Sequence, residues 1–393
     1  MLFRSIAEAT LTGVAHNTLT GDIFAGGRTL LLNKTNSTAI AGGLIVSPSN
    51  TGVPTVRLLR DNQFADTATM RFEGGFVLDS GILDLNGFSD TIGSISGYKG
   101  IVQCRGGLLT IGANHKNASF EGVISGNGGT NLVKAGLGVF VFSGKLDFNG
   151  TTLVNGGSFL LNGIVNPNNH FRVNSSSRLG GKASKVGVVT CNGGTLTPGL
   201  IITEPSYGTL EAAAWAVAAG STYRVEISGQ IPGEQHDQFI VNGALNLNGQ
   251  TLLAQQFSSG CVGAQYTILK AAAGASITGQ FRDLPEGAVF DVAASSSMRI
   301  TYKGGVSGKD VVLTQVTAPT VSSATLELLP DAIKLHATGV PGWYYTLQYN
   351  DDLNTTNWVD YARFQADVVT GKITTASIPI YKSFPTLFFR IVP

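Results

Sequence analysis

The sequence predicts an all-β chain: a β-solenoid over most of its length and a small antiparallel β-sandwich at its end. Three observations point there. Apolar runs too short for helices, such as Leu132 to Val133, Val139 to Phe142, Thr152 to Val154 and Ser158 to Leu161, are bounded by Gly-Gly, Ser-Gly or Asn-Gly pairs. Gly and Asn tolerate positive φ, so these pairs read as tight corners between short buried strands. No long crossover segment separates the runs, so the economical way to bury them is to coil the chain, each coil laying its strands on those before. Beyond residue 320 the texture changes: glycine becomes scarce and aromatics gather, among them Trp343, Tyr344, Tyr345, Trp358, Tyr361, Phe388 and Phe389.

Composition narrows the function classes. The 393 residues suit one long domain or two. Lys and Arg total 26, Asp and Glu 25, and only 13% of residues are charged, against roughly 25% in ordinary soluble domains. A nucleic-acid partner requires a basic stripe, and none stands out. Glycine supplies 51 residues, nearly twice its ordinary share of ~7%, without a collagen period. Cys104, Cys191 and Cys261 are odd in number and far apart, with no CxxC pair and no His at ligand spacing. That argues against a disulfide framework and against zinc, and the three are expected as buried thiols in the rungs. No apolar stretch approaches the ~20 residues of a membrane-spanning helix. The N-terminus, MLFRSIAEATLTGVAHNTLTG, lacks the charged region and apolar core of a signal peptide. Residue 1 falls inside a repeat, so the chain is expected to be the C-terminal portion of a longer polypeptide, or a gene model with a late start.

The solenoid reading can be followed along the chain. Gly26-Gly27 precedes Thr29 to Leu32, and Gly42-Gly43 precedes Leu44 to Val46. From Thr55 the runs are Val56 to Leu59, Phe76 to Leu78, Ile82 to Leu85, Thr91 to Ile95 and Leu108 to Ile111. Gly93-Ser94-Ile95-Ser96-Gly97 recurs as Gly122-Val123-Ile124-Ser125-Gly126, and Leu83-Asp84-Leu85-Asn86-Gly87 as Leu245-Asn246-Leu247-Asn248-Gly249. Repetition with irregular insertions suits coils whose extra residues bulge from a corner. Tyr223 to Ile227 alternates as a half-exposed strand, and the alanine-rich Glu211 to Ala219, though it favours helix, is flanked by strands and is read as strand.

From Gly126-Asn127-Gly128-Gly129 through Leu132-Val133-Lys134-Ala135-Gly136-Leu137-Gly138, Ser143-Gly144, and Gly150-Thr151-Thr152-Leu153-Val154-Asn155-Gly156-Gly157 to Leu160, the chain resembles the autotransporter-associated β-strand repeat. Its GG.L.K.G.G.L.LSG half is followed by a G.T.V..G.L half. The order Gly27-Arg28-Thr29-Leu30 to Asn33-Lys34 is similar in another register, and LDLNGFSDTIGSISG resembles a signature of such surface proteins. Residues 237 to 314, with Leu284-Pro285-Glu286-Gly287, Ile300 to Gly305 and Asp310 to Thr314, resemble their closing segment. The resemblance implies a right-handed parallel β-helix over residues 1–316, of about twelve to fifteen coils if each takes roughly 20 to 25 residues. It implies an architecture and not a chemistry.

Residues 317–320 read as a linker. Residues 321–393 carry about six alternating runs in ~75 residues, the spacing of an antiparallel sandwich. WYYTLQYNDDLNTTNW near FFRIV resembles a fibronectin-III-like module found at the C-terminus of such proteins.

Candidate sites were weighed against structural roles. Asp61 with Asp84, and Asp66 with Asp90, lie about one coil apart, and a glycosidase needs paired carboxyls at fixed separation. The competing role, closing Asx turns at strand ends, is favoured. Glu234-Gln235-His236-Asp237 is the densest polar cluster, but it follows Pro232-Gly233 and is expected as an exposed turn. Gly304-Gly305-Val306-Ser307-Gly308-Lys309-Asp310 resembles a calcium-roll repeat in a single, displaced copy, which cannot complete a site. Gly144-Lys145, Gly181-Lys182, Gly308-Lys309 and Gly371-Lys372 lack the Ser or Thr of a P-loop. His16, His115, His170 and His336 are expected at solvent-facing corners. The Asn-x-Ser/Thr triplets at Asn33, Asn36, Asn117, Asn149, Asn174 and Asn354 are expected to form polar ladders between coils. No catalytic, cofactor-binding or metal residue is assigned.

The expected function is a non-enzymatic structural or adhesive stalk, extracellular or at a bacterial cell surface. Its partners would be other surface or matrix components, polysaccharide among them, with self-association through an open N-terminal coil. A polysaccharide-cleaving β-helix is the alternative. A carbohydrate-binding module would be favoured if Trp343, Trp358 and Tyr361 were coplanar and exposed.

Overall fold

The computed structural model describes residues 2–5, 8–48, 52–74, 81–127, 129–182, 185–200, 205–258, 260–293, 296–317, 321–367, 369–375, 377–379 and 387–392. The expected run at Phe76 to Leu78 and most of the expected linker, residues 318–320, lie outside them.

The chain is all-β: a parallel β-solenoid over residues 9–217, of about nine turns, followed by small antiparallel sheets. The apolar runs become strands because alternation carries every second side chain inward. In Thr29–Lys34, Leu30 and Leu32 are buried and their neighbours partly exposed. Each coil returns the chain to the first face: Asp22–Gly27 lies on Gly43–Val46, then Thr69–Phe72, Ser94–Gly97, Ala118–Phe120, Val139–Phe142, Gly157–Leu161, Ser177–Gly181 and Thr195–Pro198. A second face runs from Ala9–Gly13 to Ile164–Val165, and a third begins only at Asp90–Ile92. The advance per coil varies, from Arg178 opposite Thr195 to Thr55 opposite Ile82. Turns are fewer than the expected twelve to fifteen because the solenoid covers residues 9–217 and not 1–316; Val289–Ala293, Ser296–Gly304 and Asp310–Val316, for instance, pair antiparallel and add no coil.

Corners are set by residues that accept left-handed backbone. Asn36, Asn62 and Asn86 each follow a second-face strand with φ of 52°, 57° and 54°, a region asparagine tolerates better than other non-glycine residues. The recurring LxLNG segments share one turn: Asn86 N–H donates to Asp84 Oδ1 at 2.9 Å, and Asn248 N–H to Asn246 Oδ1 at 3.0 Å. The recurring GxISG segments do not share a place, since Ser94–Gly97 lies on the first face and Val123–Ser125 on the second.

The coil interior carries an aromatic column, Phe72, Phe120, Phe142 and Phe159 from the first face and Phe171 from the third, with neighbouring centroids 5.5 to 6.4 Å apart. Thr209–Val217 is a strand, as expected: Leu210, Ala212 and Trp215 lie in the core, and packing overrides the helix preference of its alanines. Thr222–Ile227 departs from expectation, for Tyr223, Arg224, Val225, Glu226 and Ile227 are all buried.

Two compact units are distinguished: residues 1–227, 231–254 and 268–281, and residues 228–230, 255–267 and 282–393. Within the second, Ser323–Leu329, Ala332–Thr338 and Lys372–Thr374 form one antiparallel sheet, joined by Ile378–Pro379. Val359–Gln365, Tyr344–Asn350 and Phe388–Val392 form another. Ile333, Leu335, Ala337 and Ile373 from the first sheet share a core with Trp343, Tyr345 and Leu347.

Candidate functional site

Asp61 and Asp84 are bound separately, whereas Asp66 lies near enough to Asp90 for its charge to act on it. Asp84 stands opposite Arg57 in the ladder, is 1% exposed, and is held by Arg57 Nε at 2.9 Å and Arg105 Nε at 2.8 Å, one arginine from the coil on either side. Asp61 accepts from the Ser89 backbone N–H at 2.7 Å. Asp90 accepts backbone N–H bonds from Gln63 at 2.7 Å, Phe64 and Thr91. Burial pushes Asp90 up to about 7 despite these bonds. Carboxylates in these positions tie coils together, and only Asp84 closes an Asx turn, onto Asn86.

The cluster at 234–237 divides. Glu234 and Gln235 are exposed, but His236 and Asp237 are buried, which corrects the expectation of an exposed turn. Asp237 N–H donates to the Glu226 carbonyl at 2.9 Å, Asp237 Oδ2 accepts from Glu226 N–H at 3.0 Å and Oδ1 from Gly208 N–H at 2.9 Å. The Glu226 carboxylate is bound by Arg224 at 3.0 Å and by Ser206 N–H at 2.8 Å. Burial, reinforced by Glu226, pushes Asp237 up to about 8, against backbone hydrogen bonds and Arg224. A raised carboxyl is a catalytic signature where substrate can reach it. Here Glu226 and Asp237 are fully buried, and the network fastens one turn to its strand.

Lys134, the lysine of the repeat, is also internal. Its ammonium donates to the carbonyls of Ala135 at 2.6 Å, Gly136 at 3.0 Å and Gly156 at 3.1 Å, and burial pushes its pKa down to about 8. Three histidines bridge coils: Nδ1 of His16, His115 and His170 accepts the backbone N–H of Thr38, Leu137 and Val188 at 3.1, 3.1 and 3.0 Å. Each is exposed, as expected; His336 is half-buried in a strand. An asparagine ladder joins Asn174 Nδ2 to Asn155 Oδ1 at 2.6 Å.

The remaining candidates resolve simply. Gly304 to Asp310 turns the hairpin between Ser296–Gly304 and Asp310–Val316. Among the described residues no group of three or more His, Cys, Asp or Glu is placed to hold a metal ion. Trp343 is buried, and Arg390 covers the Trp358 ring at 4.3 Å, so the condition for an aromatic platform is not met. Cys104 and Cys191 are buried, but Cys261 is exposed, contrary to expectation, because it precedes a turn and not a strand.

One surface feature was not anticipated. Before Asp90–Ile92 the third side of the solenoid carries no strand among the described residues, and its coils are tied by a few backbone bonds: Asn17 N–H to the Thr38 carbonyl at 3.0 Å, Ala39 and Ile40 N–H to the Gln63 carbonyl at 2.7 and 3.0 Å, Ala65 N–H to the Ile40 carbonyl at 2.8 Å, and Asn62 N–H to the Ser89 carbonyl at 3.0 Å. There a groove of about 660 Å³ opens, lined by His16, Lys34, Ser37, Arg60, Asp61 and Phe88, together with Asn36, Thr38, Leu59 and Asn62. Buried Gln63 ties these coils together: its amide N donates to the Lys34 and Asp61 carbonyls, each at 3.0 Å, and its Oε1 accepts from Lys34 N–H at 2.8 Å. Lys34 Nζ donates to the Ala15 carbonyl at 2.5 Å, and Arg60 Nε to Asn33 Oδ1 at 3.0 Å. Ser37 is 5% exposed, and its Oγ has no hydrogen-bond partner among the described residues. The asparagine corners were the only trace of this groove in the sequence; nothing marked Ser37.

These features define the class: a β-solenoid with no helix among the described residues, followed by small antiparallel sheets. No protein-family model and no curated protein matches the chain.

Proposed function

We propose that this chain is a non-enzymatic structural and adhesive stalk of a secreted or bacterial cell-surface protein. The observation that carries the proposal is the fate of the acidic side chains suspected of chemistry. Asp84, Asp90, Glu226 and Asp237 are each bound between neighbouring segments of backbone or by arginine, so the groups a hydrolase or lyase would use are committed to holding coils in register.

The finer assignment, to proteins built from autotransporter-associated repeats, is part of the same proposal. It draws support from what the repeat's fixed residues do. Lys134 gathers three corner carbonyls, and Gly144 sits where a β-carbon would come within 1.7 Å of the Gly122 carbonyl. A right-handed coil, a fibronectin-III-like C-terminal module and surface display belong to that assignment.

The test is a screen of the purified chain on immobilised acidic and neutral polysaccharides, scoring retention and newly released ends together. Retention without cleavage is expected. Release of ends, lost in Asp61→Asn or Asp84→Asn, overturns the proposal in favour of a polysaccharide-cleaving β-helix.

A further inference from the structure

We propose that the groove between His16 and Phe88 binds a short stretch of acidic, carboxylate-bearing oligosaccharide; this rests on the adhesive reading above and names its ligand class and site. Coils stack about 4.8 Å apart, so a groove crossing from the coil of His16 to that of Phe88 spans about 14 Å. That length fits several linked sugars better than a single ion. The volume, about 660 Å³, lies within the usual range for ligand clefts, roughly 300 to 1,000 Å³.

The lining has the chemistry of a glycan site. Asn36, Asn62 and Thr38 offer amides and a hydroxyl, which donate and accept as sugar hydroxyls do. Phe88 and Leu59 add apolar surface for the C–H faces of a pyranose. Lys34 and Arg60 outnumber Asp61, which favours an anionic chain. The Arg60 bond to Asn33 uses Nε, so its two terminal nitrogens are the donors left for a carboxylate, which such a fork meets end-on. His16 accepts from Thr38 N–H through Nδ1, which leaves Nε2 as its donor.

A peptide ligand is disfavoured by the geometry. Strand addition needs a free backbone edge, and here Ala39 N–H, Ile40 N–H and Asn62 N–H already donate to the next coil's carbonyls.

The test uses the whole chain and a galacturonic acid tetramer, with a neutral glucose tetramer of equal length and inorganic phosphate as controls, followed by calorimetry and by amide chemical shifts. The acidic tetramer is expected to bind, more weakly at high salt, and at least tenfold tighter than either control. Lys34→Gln and Arg60→Gln should each weaken it about tenfold, with melting temperatures showing that both variants stay folded. Equal binding of phosphate or of the neutral tetramer overturns the ligand class. Tetramer binding that both variants leave intact overturns the site while the adhesive reading stands, and absence of tetramer binding overturns the proposal outright. Cleavage of a bound tetramer that both variants weaken keeps the site and overturns the adhesive reading.

Discussion

Phe72 and Phe120 stand two coils apart, yet their ring centroids are 5.5 Å from each other. Gly97 is the ladder partner of both, and having no side chain it lets the rings close over it. Gly100 completes the arrangement: a β-carbon there would come within 2.3 Å of the Phe72 ring. Glycines in this solenoid therefore make room for the core as well as turning corners.

Two alanine substitutions separate those roles. Gly97→Ala meets the Phe72 carbonyl at 2.0 Å and a φ of +114°, a backbone conflict that no neighbouring side chain can relieve. Gly100→Ala meets only the ring, an overpacking defect of about 1 to 3 kcal/mol. In urea unfolding, Gly97→Ala should cost more. Phe72→Leu should recover part of the loss in Gly100→Ala and none in Gly97→Ala, as a double-mutant cycle reports; equal coupling in both would refute this division.

Lys134 is placed between opposing effects. Three carbonyls favour its ammonium and burial disfavours it, with burial the larger, so its pKa falls to about 8, below the ~10.4 of an unfolded chain. A depressed amine contributes stability above the unfolded value that is lost as pH falls through the folded one. The stability of the wild type relative to Lys134→Met should therefore rise between about pH 8 and 10.5 and level off above. A flat difference would mean that the carbonyl cage fully offsets burial.

Asp237 gives the opposite slope. Its carboxyl, pushed by burial to about 8, binds a proton in the folded state that the unfolded chain, near ~3.9, gives up. The stability it contributes is complete below about pH 4 and is lost as pH rises through about 8. Asp237→Asn should flatten that fall, by on the order of a few kcal/mol across the interval, in melting temperatures read from pH 4 to 8.5. A parallel shift at all pH values would place the titration elsewhere.

Thiol accessibility separates the three cysteines. Burial pushes Cys104 up to about 12 and raises Cys191, whereas Cys261 is exposed, and only an accessible thiolate reacts readily. A disulfide-exchange reagent should modify one thiol in the native protein and all three after unfolding. Cys261→Ser should abolish the native reaction.

What the sequence made legible was whatever local chemistry dictates. Corners were readable because Asn86-Gly87 and Asn248-Gly249 adopt left-handed backbone in both places, and the strand at Thr209–Val217 because strands flank it on both sides. Coil register was not readable. GxISG recurs on two different faces, and Asp84 stacks on Arg57 rather than on Asp61, because insertions at corners change the advance from coil to coil. Tyr223 to Ile227 looked half-exposed because alternation cannot foresee that Arg224 and Glu226 meet inside. The groove was barely legible for a related reason. It forms where the third side carries no strand among the described residues, and asparagine corners alone do not mark a groove.

Asp84 tests whether a buried acid between two arginines stabilises the coil. The arginines are 42% and 49% exposed, so water screens each pair and truncating either one should cost under about 1 kcal/mol. Removing the carboxylate is a different matter. Asp84 also accepts the Asn86 N–H that shapes the corner, so Asp84→Ala loses both the charge and the turn, about 3 kcal/mol. Asp84→Asn keeps an acceptor for the turn and should lose about half as much. Raising the salt concentration should narrow the gap between Asp84→Asn and wild type without changing that between Asp84→Ala and Asp84→Asn, because only the former is charge screened by ions. Asp84 does not line the groove at His16 and Phe88, so Asp84→Asn should bind an acidic tetrasaccharide as the wild type does. Loss of binding in that variant, with its fold intact, would place Asp84 in a site and undo the structural role argued for it.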